Sequence, residues 1–413
     1  MRRLKVVMVA GLLIAAGCSG GRGAIVIGAV YPLSGSQGPG GIDEFRGVQV
    51  AVDLVNGAGG VDGRRIVLRP LDVRSGDGAV PAIDRLHREG VRLVLGSYGS
   101  TISRPAAAEA ARLGMLFWET GAVGDMLDVG QGSLVFRVAP TGAVLGKVAV
   151  EFIASNVAPL FHRSPGSLRF AVANVDDVYG RAVARGAVEE LASRGLTLAG
   201  QFPYDLARPD FPGLVRRMAA VRPDVLFVSA YVRDAVALRR ETVRQHLPLL
   251  ASIGTSSSYC MPEFGAELGR DAVGLFASDK PDQEVIGRRG LNAEARALLE
   301  RGGALYRSRF GGEMSAAALA GFSATMALLK WVMPAADGMS PGAVARAALA
   351  VRLPVGSLPN GSGLEFAPAG SPDSGANLRA ASVIEQWVAV RQRVVVWPPS
   401  LATRDVQAIP IAA

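Results

Sequence analysis

From residue 24 onward, short apolar runs alternate with stretches whose apolar residues fall at helical spacing. Ile25 to Val30 is an apolar run, the pattern of a strand covered on both faces of a parallel sheet. Glu44 to Val55 follows as a helix, with Phe45, Val48, Val52 and Val55 on one face, and Gly57 ends it. Gly59-Gly60 and Asp62-Gly63 supply turns, and Arg65 to Leu71 reads as the next strand. Helix Ala79 to Arg88, strand Val91 to Leu95, helix Ile102 to Leu113 and strand Met115 to Trp118 continue the rhythm.

A second series begins with strand Arg169 to Val175 and helix Tyr179 to Ser193. Strand Leu196 to Phe202, helix Phe211 to Ala220, strand Val225 to Ser229, helix Asp234 to His246 and strand Leu249 to Ile253 complete it. Strands alternating with helices of this length predict doubly wound parallel sheets, and two series predict an α/β chain of two Rossmann-like lobes. Phe136 to Gly142 breaks the pattern, where the chain crosses between lobes. Ser315 to Met333 is Ala-rich and apolar but carries Lys330, and is expected as a buried helix rather than a membrane span. Gly, Pro and Ser dominate Pro354 to Asn377, a loop or hairpin region; Val383 to Val390 and Arg393 to Trp397 read as strands, and Pro398 onward as a loose tail.

Composition adds little to this picture except at the N-terminus. The chain has 413 residues, 49% of them hydrophobic and 19% charged, which suits two globular domains. Arg2, Arg3 and Lys5 precede the apolar stretch Val6 to Ala16, too short to span a bilayer comfortably, and Ala15-Ala16-Gly17-Cys18 follows. This resembles a bacterial lipoprotein signal in which residues 1–17 are removed and Cys18 is lipidated, although Ala15 stands where such signals usually carry Leu. An ordinary secretory signal with an incidental cysteine is the alternative. Residues 18–23 then form a short tether. Loss of the leader reduces the formal charge of +8 to +5, and the remaining basic residues are scattered Arg with few Lys, so no nucleic-acid surface is expected. With Cys18 lipidated, Cys260 has no disulfide partner, and two cysteines exclude thiolate-rich zinc sites; no metal and no cofactor are expected.

The order of the motifs then resembles a known family. Ile27 to Gly35 (IGAVYPLSG), Asn56 to Gly63 (NGAGGVDG), Gly96 to Pro105 (GSYGSTISRP) and Asp177 to Gly180 (DVYG) occur collinearly. In that order they resemble the branched-chain amino acid (Leu/Ile/Val) binding proteins, type I periplasmic solute-binding proteins of ABC transporters. The resemblance spans residues 24 to about 395 and implies a periplasmic-binding-protein type I fold whose lobes are joined by three crossovers. Carried over, these fall near Val138-Ala139-Pro140, Ser278-Asp279 and Gly356. Lobe one is then 24–139 with 279–355, and lobe two 140–278 with 356–413.

Both the physics and the resemblance place a ligand at the carboxyl ends of strands, beside helix N-termini. Tyr98, Ser100 and Thr101 follow the third strand of lobe one; the helix start there is either a plain cap or a seat for a carboxylate. After Trp118 the resemblance implies a backbone carbonyl and a Thr hydroxyl for the ligand. Gly121 and Ala122 retain the backbone, while Val123 stands where the hydroxyl would be. Glu119 is either a solvated carboxylate or a counter-ion for a cationic ligand. Tyr179 and Tyr231 begin helices of lobe two and supply aromatic faces to the cleft, or simply pack there. Amino acid binders place a carboxylate after the strand ending at Ile253, to pair with the ligand ammonium, and here Gly254-Thr255-Ser256-Ser257 follows. Either Glu119 or Asp176 substitutes, or the ligand lacks an ammonium.

The function these features imply is capture of a small molecule, amino acid-like or a small carboxylate or amide. The carrier is an exported protein, anchored through Cys18 at the periplasmic side or cell surface, that delivers the ligand to the permease of an ABC importer in the inner membrane. A ligand sensor acting on a regulatory partner is the second reading. Catalysis is not expected: no nucleotide fingerprint, nucleophile elbow or paired-His motif follows a strand, and Gly38 to Gly41 (GPGG) is a Gly-rich loop without the continuation of a phosphate cradle.

Overall fold

A computed structural model of the chain describes residues 23–125 and 134–412. The leader, the lipidation site at Cys18 and nearly all of the 18–23 tether lie outside the described residues.

The first series is β1 (Ile25–Tyr31), α1 (Gly38–Gly57), β2 (Ile66–Asp72), α2 (Ala79–Arg88), β3 (Leu93–Gly96), α3 (Ser100–Arg112), β4 (Leu116–Glu119) and β5 (Val135–Arg137). All five strands pair in parallel, in the order β2-β1-β3-β4-β5. The second begins with α4 (Gly142–Phe152), the short α5 (Ala158–Leu160), β6 (Arg169–Val175) and α6 (Val178–Ser193). It continues through β7 (Thr197–Tyr204), α7 (Phe211–Ala220), β8 (Val225–Ser229), α8 (Val232–Arg244), β9 (Ala251–Thr255), α9 (Pro262–Leu268) and β10 (Phe276–Asp279). Then come α10 (Ala293–Phe310), α11 (Ala316–Met326), α12 (Pro341–Ala350), β11 (Val383–Ala389) and β12 (Gln392–Trp397).

The second sheet runs β12-β11-β10-β9-β8-β6-β7. Its parallel part, β7-β6-β8-β9-β10, repeats the winding of the first sheet, while β11 and β12 pair antiparallel at its edge. Each sheet therefore has a topological switch point, between β1 and β3 in one and between β6 and β8 in the other. Ligand crevices form at such points.

The period-2 alternation of strands sorts the first sheet's side chains onto two faces. Leu93, Leu95, Leu116 and Trp118 enter a core shared with α1, α10, α11 and α12; Val94 and Phe117 face α2 and α3. α1 and α11 approach through glycine: a Cβ on Gly47 would lie 1.9 Å from the Ala318 carbonyl. The buried Trp118 indole donates to the Ala324 carbonyl at 2.9 Å. Gly142–Leu160 and Ala316–Ala335 are apolar and long enough to cross a bilayer by length and composition, and the latter, the expected buried helix, is mostly enclosed by protein.

Two expectations are corrected. Gly38 to Gly41 is not a loop but the first turn of α1, because Pro39 sits where a helix needs no N–H, and a Cβ on Gly41 would lie 2.2 Å from the Pro32 carbonyl. The segment after Pro398 is no loose tail. Leu401 is buried, the Gly287 and Gly290 N–H groups donate to Leu401 and Ser400 carbonyls, and Gln386 exchanges two hydrogen bonds with Gln407.

Candidate functional site

β3 ends at Gly96, and the chain turns through Ser97-Tyr98-Gly99 into α3, whose first residue is Ser100. The close turn depends on Gly99, where a Cβ would lie 1.7 Å from Gln37 Oε1. Ser100 Oγ accepts the Gly124 N–H at 2.9 Å, tying this loop to the one after β4. Thr101 Oγ1 accepts from Gln37 Nε2 at 3.1 Å, which fixes Gln37 against the helix start.

Glu119 closes the same region from below. One oxygen accepts the Gly121 and Ala122 N–H groups at 2.8 and 2.7 Å. The other accepts the Ser97 N–H at 2.9 Å and the Ser103 hydroxyl. The side chain is fully buried, so it is neither a solvated carboxylate nor a group facing the cleft, contrary to both sequence alternatives. Burial pushes its pKa up to about 7, against the pull of those donors. Beside it, Glu44 on α1 accepts the Thr120 hydroxyl at 2.7 Å, while its Oε2 is buried without a partner. Burial, then the nearby Glu119, raise Glu44 to about 8. Gly121 has no side chain because Glu44 fills the space: a Cβ would lie 1.8 Å from Glu44 Oε2.

Across the gap stand the strand ends of the second sheet. Asp177 caps α6, accepting the Gly180 N–H at 2.8 Å, and also accepts the Tyr231 hydroxyl at 2.7 Å. The Tyr179 hydroxyl donates to the Ser256 carbonyl, and its ring lies 5.4 Å from that of Tyr231. β9 runs to Thr255, so Gly254 lies inside the strand, where a Cβ would meet the Tyr259 ring at 2.2 Å. The first residues past the strand are Ser256 and Ser257. Asp176 turns outward to Arg181 at 2.7 Å and is half exposed, which removes it as a stand-in for the absent carboxylate.

Tyr98, Ser100, Gly121, Tyr179 and Tyr231 line one small cavity of about 20 Å³. Thr101, Ala122 and Glu119 do not reach it and instead hold the residues that do. Ser256 and Ser257, read from the sequence only as the stretch lacking the expected carboxylate, also line it, and so do Gln37 and Lys280, which were missed. The Tyr98 hydroxyl meets Ser257 Oγ at 3.2 Å, so the two sides touch directly. Lys280, directly after β10, is 4% exposed and donates to the Gly121 carbonyl at 3.0 Å. One signal for it was present: it is one of only four lysines in a chain that otherwise uses Arg. Tyr98, Ser256, Ser257 and Lys280 also line a larger neighbouring cavity of about 670 Å³, between the start of α1 and residues 312–317, a volume typical of small-molecule sites.

Known proteins share this fold. The profile of the family described as periplasmic binding protein matches residues 24–372. The Leu/Ile/Val-binding protein homolog 8 of Brucella abortus (strain 2308) is 27% identical over 367 residues, covering 88% of each chain. The leucine binding protein LivK of Thermotoga maritima MSB8 has the same fold, with TM-score 0.74 and 17% identity, over 90% of this chain and 97% of that one. A solute binding protein of an ABC transporter from Rhodopseudomonas palustris BisB5, in complex with 3,4-dihydroxy benzoic acid, superposes with TM-score 0.65 and 16% identity, over 88% of this chain and 93% of that one.

Proposed function

The chain belongs to the periplasmic binding protein family, and we propose that it captures a small molecule between its two lobes and delivers it to an ABC importer. One observation carries this reading. The switch-point loops of two separate sheets, around Ser100 and around Tyr179 and Tyr231, face each other across a single cavity. A site so divided is completed only when the lobes close, so ligand binding and closure become one event.

The lobes hinge at residues 138–140 and 278–279. We place the third crossing after Ala381 rather than near Gly356, because Phe366 packs 5.3 Å from Trp118 and 5.0 Å from Phe136, in the core of the first sheet. Lobe one is then 24–139 with 280–381. Tyr98, Ser100 and Gly121 supply its face of the site, and Tyr179 and Tyr231 supply the aromatic face of lobe two. Lipidation at Cys18 would hold the carrier at the membrane near its permease.

The relatives include proteins named for leucine, isoleucine and valine and one bound to an aromatic acid, which sets the range to screen. Thermal-shift assays against amino acids, amides and aromatic acids are expected to yield a stabilising ligand. At a hundred times its dissociation constant it adds about 2.7 kcal/mol. Small-angle scattering with that ligand should show compaction; a bound ligand that leaves the radius of gyration unchanged overturns the capture reading.

A further inference from the structure

Among the described residues, Lys280 is a charge placed in the cleft without a carboxylate partner. Its ammonium has three donors, yet it meets only the Gly121 carbonyl at 3.0 Å and Ser256 Oγ at 3.5 Å. Two other lysines, Lys147 and Lys330, have acidic partners, Glu189 at 3.2 Å and Glu294 at 2.9 Å. Among the described residues no carboxylate stands within salt-bridge distance of Lys280. Glu44 is close enough to feel its charge, but burial raises that carboxyl to about 8, so it is largely protonated near neutral pH. Asp279, the preceding residue, has a buried oxygen with no hydrogen-bond partner and opens onto the larger cavity, not the small one.

The small cavity is correspondingly one-sided. Among the described residues lining it there is one ammonium and no Asp or Glu; the other polar side chains there are hydroxyls and Gln37. Three helices also begin at its wall: Ser100 opens α3, Tyr179 lies in the first turn of α6, and Tyr231 caps α8. Helix N-termini favour negative charge, as the ammonium does. An entering carboxylate would meet Lys280 and the starts of α3 and α8, which have no side-chain cap, whereas the start of α6 is already capped by Asp177. An entering ammonium would meet Lys280, which already occupies the Gly121 carbonyl and approaches the Ser256 hydroxyl.

We infer that Lys280 is the charged recognition group of the cleft, and that the captured ligand is a carboxylate with no ammonium group beside it. This rests on the capture reading and narrows its ligand class. The ligand's body extends toward the larger cavity, onto which Lys280 also opens and whose lining sets Ile42, Met261 and Met314 among acidic residues that include Asp279, Asp282 and Glu313.

Minimal probes test the subsite without knowledge of the body. Acetate, glycine and methylammonium are titrated into the mature full chain at matched ionic strength, with melting temperature as the readout. Acetate should stabilise the wild type with an apparent dissociation constant at least tenfold below that of glycine, and methylammonium should have no effect. Lys280→Met should weaken acetate tenfold or more, and Lys280→Arg should retain most of the response. Circular dichroism and the melting temperature without probe report whether each variant folds; if Lys280→Met does not, Lys280→Gln takes its place. No acetate effect, glycine or methylammonium matching acetate, or an unchanged acetate response in Lys280→Met each overturns the inference. Scattering with 4-methylpentanoate separates the two proposals: a Lys280-dependent acetate response without compaction on binding this acid strikes the capture reading alone.

Discussion

Glu44 and Glu119 place two carboxyls in the wall of the cleft, where water cannot solvate them. Glu119 is held by four donors, so removing the carboxyl group leaves the Ser97, Gly121 and Ala122 N–H groups without that acceptor. Glu44 accepts one hydroxyl and keeps Oε2 unpartnered, an environment suited to a protonated acid. Their folded pKa values, about 8 and about 7, lie above the 4.5 of a free glutamate. Between these limits the folded chain holds more protons than the unfolded one. This stabilising contribution is complete below about pH 4.5 and is lost as pH rises through 7 to 8. Urea melts should therefore show stability falling between about pH 4.5 and 8 and levelling off above it, by up to about 1.4 kcal/mol per pH unit for each group. Glu44→Gln should remain folded and lose its share of that slope; a variant as steep as wild type refutes the assignment. At this scale the sequence was legible where the strand-end rule applies, at Tyr98, Ser100, Tyr179 and Tyr231. It misled at Glu119, whose burial depends on donors from two loops joined only in three dimensions. Beyond its rarity as a lysine, nothing in the sequence placed Lys280 at the site, because β10, the strand that delivers it, gains its place from pairing with β9 and with the distant β11.

Elements with strong periodicity were readable nearly to the residue. Helices Ala79–Arg88 and Phe211–Ala220 and strands Arg169–Val175 and Val225–Ser229 begin and end as the pattern predicts. β5 and β10 span three and four residues, too few to establish a period, and only their sheet neighbours define them. The start of α1 was hidden by three glycines and a proline that read as a loop until the packing beneath them is known. Glycine also governs how closely helices approach. On α6, a Cβ at Gly186 would lie 2.1 Å from the Ala143 carbonyl of α4, and one at Gly146 would lie 2.2 Å from the Val183 carbonyl. Backbone cannot yield as a side-chain tip does, so Gly186→Ala must separate the helices. Overpacking of this kind costs about 1–3 kcal/mol. Helix propensity favours Ala over Gly by less, about 1 kcal/mol. Net destabilisation in a urea melt is therefore expected, whereas Gly195→Ala, which has open space but a φ of +64°, should lose stability only through backbone strain.

Across the whole molecule, the lobes meet both at the cleft and away from it, where Arg185 pairs with Asp125 at 2.7 Å and the buried Arg393 with Asp282. Tyr98 reaches Ser257, and Lys280 joins the Gly121 carbonyl to the Ser256 side. A contact across the cleft that exists only in the closed form adds to the stability of that form alone, so removing one shifts the population toward the open form. Tyr98→Phe keeps the ring packed over Gly40, where a Cβ would come within 2.3 Å of it, and deletes only the hydroxyl. One neutral hydrogen bond contributes about 1 kcal/mol, or roughly fivefold in the closed-to-open ratio. The ligand-free variant should therefore show a larger radius of gyration than wild type. Affinity for the captured ligand should fall by up to about fivefold, since only the closed population offers both faces of the site. A variant that binds fivefold more weakly with an unchanged ligand-free radius would mean that the hydroxyl touches ligand directly, and that the contact with Ser257 does not govern closure.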